Sequence, residues 1–227
     1  MNRKPTGWLP AILFAFALAA TLCLPACGGG GGGEEQSPTP ADETAGVEPE
    51  DLDAMMLQAD DLPQGFSYDI TSDVFPAAGL GESQQRVAGR HLRSLLEESL
   101  QEEGKTVCIV SGLELYASAE EAAARLAEEW QTIEAMAVSL SPEEGIPEKL
   151  DLPAIGDEAD GFFLSAPRVS FCGWESVQAE VVSLAFRKDR LLADIRTFTL
   201  GQGASTDEAI ELARKLLARI EAGLGEQ

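Results

Sequence analysis

The chain has 227 residues, with 39 acidic against 16 basic side chains, one histidine and a formal net charge of −23. Such a surface repels phosphate backbones, which excludes a nucleic-acid partner, and it repels anionic headgroups as well. The apolar share of 44% is enough for a packed core, and the acidity reads first as solubility, otherwise as attraction for cations or a basic partner.

Arg3 and Lys4 precede an apolar run from Trp8 to Leu22, interrupted only by Pro10 and Thr21. The run suits the hydrophobic stretch of a signal peptide and falls short of the roughly 20 residues a permanent span needs. Leu24-Pro25-Ala26-Cys27 follows, with the small Ala26 directly before the cysteine. This tetrapeptide resembles the bacterial lipobox, the cleavage signal of lipoprotein leaders. The resemblance implies that residues 1–26 are removed and that Cys27 becomes a lipidated first residue on the extracytoplasmic face of a cell membrane. It implies several acyl chains on Cys27, and two or more anchor stably where one binds only marginally. An ordinary secretory signal or an uncleaved anchor helix is the alternative.

Residues 27–51 read as a tether. Six glycines follow Cys27, then seven acids and three prolines with no base, and Val47 is the only large apolar residue. A segment with so little to bury stays disordered, and as a flexible coil it would reach roughly 25–30 Å. Residues 52–227 are long enough for a single domain with its own core.

In chain order, Leu52–Ala59 reads as a short helix and 60–66 as a turn around Pro63 and Gly65. Phe66–Thr71 alternates as a first strand. Glu82–Glu103 reads as a helix, with Val87, His91, Leu92, Leu95, Leu96 and Leu100 as its apolar stripe and Gly104 as its stop. Thr106–Tyr116 is a strand. Ser118-Ala119-Glu120-Glu121 is a capping box that opens a helix with a stripe of Leu126, Trp130, Ile133 and Ala137, ending near Leu140. A loop over 141–151 and a turn at 155–159 lead to strands at Gly161–Ser165 and Arg168–Cys172. Val177–Arg187 and Leu191–Leu200 form a hairpin about the Lys188-Asp189-Arg190 joint. Ser205-Thr206-Asp207-Glu208 caps a closing helix with Ile210, Ala213, Leu217, Ile220 and Leu224 inward.

The order predicts an α+β domain, a mostly antiparallel sheet covered by amphipathic helices, with a meander after Asp160. Gly156-Asp157-Glu158-Ala159 and the later Phe186-Arg187-Lys188-Asp189-Arg190-Leu191 hairpin resemble marks of actinobacterial-type lipoproteins and receptor-kinase sensor domains. The resemblance covers roughly residues 60–224 and implies a PsbP-like α/β/α sandwich that acts as a ligand- or partner-binding module without a shared catalytic site.

With Cys23 in the leader and Cys27 lipidated, Cys108 and Cys172 remain for a disulfide or for two separate buried thiols. A bridge would contribute ~4 kcal/mol in the chain-entropy model. The single His91 excludes sites needing two histidines and reads as a boundary residue of its helix, with no Gly-x-Ser-x-Gly elbow elsewhere. Asp157-Glu158-x-Asp160-Gly161 lacks the alternating ligands and the later glutamate of a calcium loop. Gly201-Gln202-Gly203-Ala204-Ser205 echoes a phosphate loop without its lysine and reads more simply as a flexible joint. No metal, cofactor or catalytic residue is assigned. The expectation is a non-catalytic binding or accessory lipoprotein for an envelope protein, a glycan or a small amphiphile. A secreted carboxylate-dependent hydrolase is the alternative.

Overall fold

The computed structural model describes residues 46–71, 86–139 and 147–225. The leader, Cys27 and most of the tether lie outside the described residues, as do the side chains of Ile133 and Ala137. The elements are α1 (Leu52–Met55), β1 (Ile70–Thr71), β2 (Arg86–Leu95), β3 (Thr106–Tyr116), α2 (Ala119–Ser139), β4 (Glu148–Lys149), β5 (Glu158–Phe171), β6 (Trp174–Lys188), β7 (Leu191–Leu200) and α3 (Thr206–Gly225). The strands form one sheet in the order β1-β2-β3-β7-β6-β5-β4, every pair antiparallel. This is the α+β architecture expected, and the β5-β6-β7 run is the predicted meander.

Alternation along the strands gives the sheet two packed faces. Leu92, Leu113, Leu115, Leu184, Phe186, Leu191, Ala193 and Ile195 meet Leu212, Ala213, Leu216 and Ile220 of α3 and Leu52 and Met55 of α1. On the opposite face Tyr116, Ala185 and Leu192 pack with Ala122 and Leu126 of α2. A third cluster, with Val107, Cys108, Phe171 and Ala179, lies at one end of the sheet.

Four features depart from the sequence reading. The helix expected over Glu82–Glu103 is strand β2 followed by a 3-10 turn at Glu98–Leu100. Leu92, Leu95 and Leu96 fit a helical stripe, but Leu92, Ser94 and Leu96 are buried at a period of two, and β2 pairs with β3 from Arg86 to Leu95. Val87 and Leu100, assigned to the stripe, are 51% and 40% exposed. Ladder pairing overrode a local helical pattern that Gly89 had already weakened.

The strand expected at Phe66–Thr71 shrinks to Ile70–Thr71, with Phe66 reduced to a single bridge to Leu96. The two strands expected at Gly161–Ser165 and Arg168–Cys172 are one, β5, with register shifts around Pro167. Proline has no N–H to give, and it sits where β5 has no outer partner among the described residues. Finally, Val47 belongs to the core, not to a solvated tether: it is 3% exposed. Arg190 donates to its carbonyl at 3.1 Å, and Arg90 donates to the Pro49 carbonyl at 3.1 Å.

Candidate functional site

The sheet register assembles a polar row beneath α2. His91, Gly112, Asp194, Ala185 and Asp160 are successive cross-strand partners on β2, β3, β7, β6 and β5. One step along lie Arg93, Val110, Arg196, Ser183 and Phe162, with Lys149 of β4 paired to Phe162. Gly112, Ala185 and Ser183 are small, which leaves depth for the charged side chains of β7. A Cβ at Gly112 would strike Asp194 Oδ1 and lie 3.3 Å from His91 Nδ1.

Charges alternate through this layer. Arg196 Nη2 donates to Glu129 Oε1 at 3.0 Å, and its Nε lies 3.6 Å from Asp194 Oδ2. Arg125 Nη2 is 3.8 Å from Glu129 Oε2, one helical turn away on α2. Arg86 pairs with Glu114 at 2.6 Å, and the Tyr116 hydroxyl donates to the second Glu114 oxygen at 2.6 Å. The side chains of Asp194 and Glu129 are each 18% exposed. Burial pushes both carboxyls above their usual range, although Arg196 opposes the shift in each. Glu129 is raised further by Asp194, and Asp194 by Glu114. Burial lowers His91 and so favours the neutral imidazole, with Glu114 opposing.

A shallow, solvent-open cleft adjoins this layer. Its walls are Leu126, Glu129 and Trp130 of α2, Asp160, Gly161 and Phe162 of β5, and Ser183 and Ala185 of β6. Lys149, outside this lining, contacts two of its residues: its Nζ lies 2.8 Å from Asp160 Oδ1 and 4.5 Å from the centroid of the Trp130 ring. Asp194 does not reach the cleft wall.

The residues singled out from sequence scatter over the fold. Cys108 and Cys172 are joined by a disulfide, with Cα atoms 6.5 Å apart, which links β3 to the β5–β6 turn. His91 lies on a strand facing Gly112, not at the margin of a helix. Asp157 turns away from Asp160: it serves Arg187 and the β6–β7 hairpin, while Asp160 serves Lys149. The glycine joint before α3 has an internal anion, because Glu180 Oε2 accepts the Gly203 and Ala204 N–H groups at 2.7 and 2.9 Å. Ser205 accepts the Glu208 N–H as expected of the cap.

The Asp194–Arg196–Glu129 cluster was missed. Its signals were an Asp-x-Arg pair on one face of the otherwise apolar β7 run, and Arg125 four residues before Glu129 on α2.

The α+β fold is similar to that of one solved domain. The extracellular domain of PknH from Mycobacterium tuberculosis superposes with a TM-score of 0.51 at 13% identity, covering 78% of this chain and 97% of that one. At this identity the likeness shows the fold. No protein-family model matches the chain, and no curated protein matches it.

Proposed function

We propose that the chain is a lipoprotein, held through an acylated Cys27 to the outer side of a cell membrane, and that its globular part is a non-catalytic binding or accessory module. The observation that carries this is the Cys108–Cys172 bridge within a fold otherwise seen in an extracellular domain. A structural disulfide of this kind belongs to an oxidising compartment. The leader pattern and the cysteine after it supply the means of reaching that compartment and staying there.

A carboxylate-dependent hydrolase is the second reading, favoured by the raised carboxyls of Asp194 and Glu129. The binding reading is preferred because Arg196 bridges the two raised acids, and the acids that do share the cleft wall, Glu129 and Asp160, are each held in an ion pair, with Arg196 and with Lys149. Paired acids acting on a scissile bond would both have to be free to face it.

Expression of the full chain in a bacterium, with mass spectrometry of the mature amino terminus, tests the anchoring. An acylated Cys27 and recovery in the membrane fraction are expected, with both lost in Cys27→Ala. An unacylated start, or an intact leader in the cytosol, overturns the reading. A pull-down from native envelope tests the binding role, with a partner recovered by the anchored form and not by Cys27→Ala.

A further inference from the structure

The geometry points to the rim of the cleft between α2 and β5, where Asp160 and Trp130 meet the Lys149 ammonium, as a subsite for an alkylammonium group, with Lys149 as its internal occupant. This inference deepens the binding-module reading and rests on it. The Lys149 ammonium takes the two contacts that such a ligand would need, the Asp160 carboxylate at 2.8 Å and the Trp130 ring at 4.5 Å. Phe162 and Leu126 add apolar wall for a hydrocarbon stem.

The occupant is held loosely. Lys149 belongs to a two-residue strand at the sheet edge, paired only through Glu148–Phe163 and Lys149–Phe162 and followed by one Leu150 N–H to Gly161 bond. Its side chain is 54% exposed, and an ion pair at that exposure is weak. Glu129 is committed to Arg196 and Arg125, so departure of Lys149 leaves Asp160 as the uncompensated charge beside an aromatic ring. A cation of the right reach takes the vacated place. The acidic chain draws such cations to the surface.

Titration of the detergent-solubilised full chain with n-hexylammonium, followed calorimetrically, tests this, with n-hexanol as the uncharged control. Saturable binding of the ammonium alone is expected. Lys149→Ala removes the competitor and should tighten binding about fivefold, and Asp160→Asn should weaken it by about the same factor. Lys149 is exposed and Asp160 half-buried at the sheet edge, which keeps the test sound if Trp130→Leu fails to fold.

Equal binding of hexanol, no saturable binding, or an affinity unchanged in Lys149→Ala overturns the subsite. Acetyl-lysine amide and spermidine form the two source arms: the tighter of the two tells a partner's lysine from a free polyamine, and either supports the ammonium chemistry. Acylation of Cys27 is scored in the same preparations. Loss of titration with anchoring intact defeats the cleft alone, and titration without acylation defeats the anchoring alone.

Discussion

The Asp157 carboxylate accepts the backbone N–H of Asp189 at 2.7 Å, tying the turn before β5 to the β6–β7 hairpin 32 residues later. Asp189 needs the tie because it holds a positive φ of 53° in the tight joint between the two strands. Arg187 pairs with the same Asp157 oxygen at 3.3 Å and donates to the Asp189 carbonyl at 3.1 Å. Gly156 lets the turn come this close, since a Cβ there would strike the Arg187 carbonyl. The two motifs that carried the family resemblance are thus one contact. Asp157→Ala should lower stability by about 1–2 kcal/mol, because a charged acceptor of a backbone N–H is lost. A urea midpoint shift with unchanged slope would be the readout.

The disulfide fixes the β5–β6 turn to β3 across a sequence separation of 64. Reduction, or Cys108→Ala with Cys172→Ala, should cost about 2–4 kcal/mol. Melting of the full chain with and without a thiol reductant measures it. The double variant should be insensitive to the reductant.

Two opposed titrations follow from the polar layer. Asp194 and Glu129 are raised in the folded protein, so it retains protons that the unfolded chain has already released. Stability therefore falls as pH rises from the ordinary carboxylate range through the raised one, and returns on acidification. His91 is lowered, so below about pH 6.5 the unfolded chain takes up a proton that the fold resists, and stability falls with falling pH. Asp194→Asn should remove part of the first trend and leave Arg196 paired with Glu129. His91→Gln should remove the second. Denaturation midpoints between pH 4 and 8 would separate them, those limits being roughly where carboxyl and imidazole groups titrate.

Thr197 is buried on β7 beneath the α3 layer, and its hydroxyl has no hydrogen-bond partner. Thr197→Val keeps the shape and removes an unsatisfied group. Stability should rise by about 1 kcal/mol, seen as a higher melting temperature with an unchanged circular dichroism spectrum.

What the sequence disclosed follows from how local each signal is. The Ser118 and Ser205 caps set the starts of α2 and α3 because an N-cap acts within one turn. The strands β3, β6 and β7 stood out because their apolar runs end at tight joints. β2 misled because Leu92, Leu95 and Leu96 satisfy two periods at once, and only pairing with β3 decides between them. Val47 gave no signal, since burial of a lone valine depends on Arg190 and Arg90, both distant in sequence. The bridge between Cys108 and Cys172 stayed open for the same reason. The charged layer needed Asp194 set beside Gly112 and beneath α2, and register of that kind cannot be read from one strand.

The two arginines on the Val47 and Pro49 carbonyls have a mechanical consequence. A pull on the preceding segment arrives at these two bonds before it reaches any strand of the seven-stranded sheet. With the buried Val47 side chain they would act as a sacrificial latch, residues 46–51 peeling away under load while the ladder behind them stays closed.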